Sequence, residues 1–156
     1  MSDSCVKLLA DKNLTIVFIE SATAGYLAHR FSVSPCSGDV LIGGLVCYDA
    51  VIKKNVLNIS SRLIDEYTPE SLEVTQELVK QSQAKFEADL HVACTGLLKP
   101  GGSETKEKPV GTFFYCIGYK GEVHSFRSLC NGPSQQKLRS IYSLICKSII
   151  DVVSKY

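Results

Sequence analysis

The sequence predicts an α/β fold, a three-layer α/β/α sandwich around a mixed, mostly parallel sheet. Three observations predict it. Short β-branched and aromatic runs alternate with segments whose apolar residues recur at helical intervals, the order expected of βα units. Two later segments, Val110 to Tyr119 and Glu122 to Leu129, are joined by Lys120-Gly121 alone, which adds an antiparallel hairpin. Finally, 156 residues with 45% apolar content suit one core, because domains run about 100 to 150 residues. One domain over residues 1–156 is therefore expected.

Cys5 to Lys12 reads as a short helix ending near Asn13, and Thr15-Ile16-Val17-Phe18-Ile19 as a buried strand. Behind it, Glu20-Ser21-Ala22-Thr23-Ala24-Gly25 changes to small residues. Leu27 and Phe31 then fall one helical turn apart, so the chain is expected to pass from strand to helix at Ser21. Ser34 to Asp39 is loop chemistry. Val40 to Tyr48 is a second strand, in which Gly43 and Gly44 let another backbone approach. Ala50 to Leu57 makes two helical turns that bring Lys53 or Lys54 back over the end of that strand.

Thr68-Pro69-Glu70 carries the signature of a helix start, with Thr68 as N-cap and Pro69 at the first helical position. The helix extends to about Phe86, with Leu72, Thr75, Val79, Ser82 and Phe86 on its packing face. Leu90 to Thr95 is the third strand. Gly96 to Pro109 is a loop containing Pro100-Gly101-Gly102. Val110 to Tyr119 and Glu122 to Leu129 form the hairpin. After Asn131-Gly132-Pro133, Ser134 caps a last helix whose stripe is Leu138, Ile141, Ile145, Ile149 and Val152.

Charge and cysteine usage exclude several function classes. Lys plus Arg number 17 and Asp plus Glu 16, with no basic stripe for a phosphate backbone, so no nucleic-acid partner is expected. No apolar run reaches the roughly eighteen residues of a membrane span, and Met1 to Cys5 lacks a secretory pattern. A cytoplasmic location is expected. Seven scattered cysteines without C-x-x-C fit buried free thiols in a reducing compartment. Dinucleotide, P-loop, α/β-hydrolase and zinc-deaminase signatures are absent, and the three histidines lack a metal-like spacing. No metal and no cofactor are expected.

In such a sheet the binding crevice lies at strand C-termini. A hydroxyl at Ser21 faces amide groups such as those of Ala22 and Thr23, which suit a developing oxyanion; the same residue also suits plain N-capping. Lys53 or Lys54 would act as base if the cleft desolvated its ammonium, and would otherwise be a solvated surface charge. Tyr48 suits orientation of the amine, or simple packing. Thr95-Gly96 and Pro100-Gly101-Gly102 offer amide groups to a phosphate, with Lys99, Lys106 and Lys108 adding attraction for an anion.

Four blocks in order carry a resemblance over nearly the whole chain. They are Glu20-Ser21-Ala22-Thr23-Ala24-Gly25, Gly43-Gly44-Leu45-Val46-Cys47-Tyr48 with Lys53, Thr95-Gly96-Leu97-Leu98-Lys99-Pro100-Gly101-Gly102, and Lys108-Pro109-Val110-Gly111-Thr112. Together they resemble the CinA C-terminal domain family, whose characterised enzymes are nicotinamide mononucleotide amidases. The resemblance implies Ser21 as nucleophile, Lys53 as base (its lysine follows the tyrosine by five positions) and Tyr48 as a supporting group. It implies a substrate site drawn from Glu20, Ala22, Thr23, Gly25, Gly43, Gly44, Thr95, Gly96, Gly101, Gly102 and Arg139. It also implies a small-molecule nucleotide substrate, a stand-alone form and a homo-oligomer.

The chain departs from the family pattern at Ala22 and Ala24, where E-S-C-T-G-G is common, and at Leu98 and Lys99. The family's G-D-R before the last helix is replaced by Asn131-Gly132-Pro133-Ser134-Gln135, and Arg139 matches a later basic position. The implied reaction is hydrolysis of nicotinamide mononucleotide to nicotinic acid mononucleotide and ammonia. The alternative is a catalytically weak or silent relative that binds a nucleotide or a protein through the same cleft.

Overall fold

A computed structural model describes residues 2–156. The elements run α1 (Ser2–Asp11), β1 (Ile16–Glu20), α2 (Tyr26–Ser32), α3 (Ser37–Val40), β2 (Leu41–Val46), α4 (Ala50–Leu57), α5 (Ser61–Tyr67), α6 (Leu72–Lys85), β3 (Leu90–Gly96), β4 (Thr112–Tyr119), β5 (Glu122–Leu129) and α7 (Ser134–Val153). The five strands form one sheet in the order β2-β1-β3-β4-β5. β1 pairs parallel with β2 and β3, while β3 with β4 and β4 with β5 are antiparallel. Only β4 runs against the other four strands, so the sheet is mixed and mostly parallel in direction.

The pleat sends alternate residues of each strand to opposite faces, and each face has its own core. Phe18, Val92 and Tyr115 pack with Cys5, Leu27, Phe31, Ile141 and Ile145 from α1, α2 and α7. Their chain neighbours Ile19, Ala93 and Cys116 pack with Leu57, Ile64 and Leu78 from α4, α5 and α6. Burial on both faces explains why β1 and β3 read as continuous apolar runs. Six cysteines are buried free thiols and Cys36 is half-buried. Among the described residues, no helix is long and apolar enough to cross a membrane.

Three helix starts differ from the expectation. The chain does not enter a helix at Ser21: residues 22–25 make a turn, and α2 begins at Tyr26 after Gly25. Thr68 does not cap α6. It terminates α5, an element the sequence reading left undivided, and its φ of 71° reverses the chain so that Pro69 and Glu70 span the connection. The cap is Ser71, whose hydroxyl accepts from the Val74 amide. At α7 the cap position falls on Pro133, and Ser134 is already helical. Residues 37–39, expected as loop, and Val40, expected to open the second strand, form the short α3, and β2 starts at Leu41.

Candidate active site

The C-terminal ends of β1, β2 and β3 meet at one edge of the sheet. The Ser21 amide donates to the Cys94 carbonyl at 3.0 Å, and the Cys47 amide donates to the Glu20 carbonyl at 2.8 Å. The parallel ladders therefore continue one residue past β1 and fix Ser21 between its neighbours. Lys53 arrives from the other side on α4. That helix starts at Asp49, whose carboxylate accepts from the Val51 amide at 2.8 Å, and its second turn carries Lys53 back over the end of β2.

Lys53 Nζ lies 2.9 Å from Ser21 Oγ, 2.6 Å from the Cys47 carbonyl oxygen and 3.4 Å from that of Tyr48. The lysine is 1% exposed. Burial pushes its pKa below the ordinary 10.5, against the opposing pull of Cys47, Glu70 and Asp49. A neutral amine has two hydrogens and one lone pair. The two carbonyls accept the hydrogens, which leaves the lone pair for the Ser21 hydroxyl; Lys54 makes no such contact.

The Glu20 side chain completes the frame and is 1% exposed. One carboxylate oxygen accepts from the Thr23 hydroxyl at 2.6 Å and the Gly25 and Leu27 amides at 3.0 and 3.1 Å; the other accepts from Ala28 at 2.8 Å. The Gly25, Leu27 and Ala28 amides at the start of α2 thus belong to Glu20, and the Tyr26 amide to the Thr23 carbonyl. Free amides lie one step earlier, where the Ala22 and Thr23 N–H groups have no hydrogen-bond acceptor among the described residues. These are the donors nearest to Ser21 for an oxyanion.

Ser21, Ala22, Tyr48 and Glu70, together with the segment 96–102, line a cavity of about 240 Å³. Gly96 is required there, since a Cβ would stand 2.4 Å from the Phe113 ring. Gly101 and Gly102 have left-handed φ values of 110° and 61°, and the amides of Leu98, Lys99, Gly101 and Gly102 have no internal acceptor among the described residues. Lys99 is exposed and lines the same cavity. Tyr48 is 56% exposed at its wall, and only its carbonyl approaches the amine.

Other residues named from the sequence lie outside this cavity. Gly43 and Gly44 belong to edge strand β2, where Gly44 admits the close approach of Ala28 and the Phe18 carbonyl. The Thr95 hydroxyl is buried against that of Thr75 at 2.9 Å. Thr23 and Gly25 face Glu20, and Arg139 is exposed on α7. Lys108 does not face the cavity: its ammonium donates to the Thr68 hydroxyl and the Glu70 carbonyl, each at 2.7 Å.

A family model for the CinA C-terminal domain matches residues 1–152. The chain belongs to this family. A CinA-like protein of Pseudothermotoga lettingae is 33% identical over 118 residues, covering 75% of this chain and 29% of that protein. One from Mycobacterium marinum is 37% identical over 117 residues, 75% of this chain and 27% of that protein. The CinA-family chain thus spans about a third or less of the length of these curated relatives. Among solved structures, competence damage-inducible protein A of Klebsiella pneumoniae superposes with a TM-score of 0.91 at 19% identity, covering 99% of this chain and 98% of that one. A CinA superfamily protein of Escherichia coli gives 0.85 at 22% identity, covering 96% and 87%.

Two residues of this CinA domain escaped the sequence reading. Lys137 is 9% exposed and donates to the Leu98 carbonyl at 3.0 Å, anchoring the glycine loop. Its spacing with Ile141 and Ile145 places it on the buried stripe of α7, a signal that was available. Glu70 had been assigned to a helix start and instead lines the cavity.

Proposed function

We propose that this CinA domain hydrolyses the carboxamide of nicotinamide mononucleotide, giving nicotinic acid mononucleotide and ammonia, as a cytoplasmic enzyme. The observation that carries the reading is the 2.9 Å contact between Ser21 Oγ and a buried lysine nitrogen at the wall of an open cavity. In the proposed cycle Ser21 Oγ attacks the amide carbon and its proton passes to neutral Lys53. The Ala22 and Thr23 amides receive the oxyanion. Collapse breaks the C–N bond, Lys53 returns the proton to the departing nitrogen, and ammonia leaves. Water, deprotonated by Lys53, then cleaves the acyl-serine ester and releases the acid.

Lys99 and the unpaired amides of Leu98 and Lys99 are suited to the substrate's phosphate. Exposed Ile42 and Val46 on edge strand β2 suit packing against a second copy of the chain. Ammonia release from the purified chain with nicotinamide mononucleotide tests the reaction. The exposure of Arg139, with no arginine at the family's G-D-R position, supports a second reading as a silent nucleotide-binding relative. Ligand-induced thermal stabilisation without ammonia release would select it.

A further inference from the structure

Glu70 lies between α5 and α6, outside any regular element, yet it is held on three sides. The reversal at Thr68 turns the chain, Lys108 clamps the Thr68 hydroxyl and the Glu70 carbonyl at 2.7 Å each, and the Ser103 hydroxyl donates to Oε2 at 2.5 Å. Oε1 makes no hydrogen bond among the described residues. It points along the glycine loop, 3.6 Å from where a Gly102 Cβ would stand. No ion pair involves this carboxylate among the described residues. Its negative charge acts on Lys53, so it lies within Coulombic range of the reacting centre. The Lys108 ammonium donates to the Thr68 hydroxyl and the Glu70 carbonyl and feels this carboxylate only through space, so Oε1 keeps an oriented, unbonded face that repels neighbouring negative charge and favours a cation.

Tyr48 lines the same cavity, and an aromatic face attracts a cation through its quadrupole. In an aromatic amide the ring begins at the carbonyl carbon, so groups sharing the cavity with Ser21 meet the ring before any distant substituent. We propose that Glu70, with the Tyr48 ring as a second wall, selects amides carrying a fixed positive charge beside the scissile carbonyl, of the N-alkylpyridinium class. The assignment rests on Ser21 as the attacking group, and it deepens that reading by naming a specificity-determining side chain.

The test compares two isosteres by NMR titration of the full chain: 1-methylnicotinamide, a cation, and 3-methylbenzamide, uncharged. The expected result is a preference for the cation of about tenfold or more, falling as sodium chloride is raised. Glu70→Gln keeps an acceptor for Ser103 and should abolish most of the preference without changing the melting temperature, whereas Glu70→Asp should retain most of it. Equal affinities in the wild type, a preference insensitive to salt, or one unchanged in Glu70→Gln would each overturn the proposal. So would a loss in Glu70→Gln confined to ribose-bearing ligands, which would assign Glu70 to sugar hydroxyls. Binding is read without turnover, so a preserved preference with no ammonia release defeats the amidase reading alone.

Discussion

Among the described residues, two serine–base pairs lie at opposite ends of β3. At the C-terminal end Ser21 Oγ faces Lys53 Nζ at 2.9 Å; at the N-terminal end Ser82 Oγ faces His91 Nδ1 at 2.7 Å. Both bases are buried, and burial lowers both pKa values. The Ala88 carbonyl can only accept, so it takes the His91 Nε2 proton at 3.2 Å and leaves Nδ1 to accept from Ser82. With Lys53 neutral, as the proposed mechanism requires, the two hydroxyls would be polarised in the same sense. What separates them is access. Ser21 borders a cavity and adjoins two unbonded amides, whereas Ser82 is 0% exposed in the interior of α6. A serine bonded to a base is a core polar pair unless an electrophile can reach it and an oxyanion can be held.

The largest expected effect breaks the symmetry outright. Ser21→Ala and Lys53→Ala should each lower ammonia release by about a thousandfold or more with the fold retained. Ser82→Ala should leave the rate within about twofold, because its pair does not touch substrate. A Ser82→Ala loss as large as that of Ser21→Ala would reassign the site.

Next comes pH. The proposed mechanism needs neutral Lys53, so kcat/KM should rise about tenfold per pH unit up to its lowered pKa and then level off. Stability carries the same sign. Between the folded value and 10.5 the unfolded chain holds the Lys53 proton that the folded chain has released, so stability rises with pH across that window. Lys53→Met should remove that slope in urea titrations. His91 acts lower: below 6.5 the unfolded chain gains its proton first, and stability falls as pH drops toward the folded value.

A smaller effect is stability alone. Ser82→Ala strands His91 Nδ1 and should cost about 1–3 kcal/mol by urea unfolding. The smallest concerns the turn that only the Ser21 pair possesses. Ala24 has a left-handed φ of 48°, so Ala24→Gly should stabilise by about 1 kcal/mol, and a destabilised variant would mean that the turn depends on the methyl group.

Periodicity made most of the fold legible. The runs at β1 and β3 and the apolar stripe of α7 are recoverable because burial on both sheet faces and along one helix face leaves that pattern, while edge strand β2 and the Lys120-Gly121 hairpin are marked by their residue types and turn. Helix starts were less legible. Thr68-Pro69 satisfies every local rule for a cap, but the unrecognised α5 ends there and imposes a positive φ that local rules do not encode. At the site, the resemblance singled out Ser21 and Lys53, which the structure brings together. Glu20 was visible as a motif residue but not as the acceptor of four hydrogen bonds, which requires α2 to return over β1. Glu70 was hidden because its position depends on Lys108 and Ser103, more than thirty residues away in sequence.

The Glu20 carboxylate has a consequence for the direction in which a ligand can lie. By placing its own carboxylate on the Gly25, Leu27 and Ala28 amides, the chain leaves the Ala22 and Thr23 amides as the unbonded donors at the end of β1 among the described residues. In the proposed amidase an anionic tail would be drawn toward Lys99 and the bare amides beyond β3, so a molecule bearing an amide at one end and a phosphate at the other would enter with its carbonyl facing the alcohol.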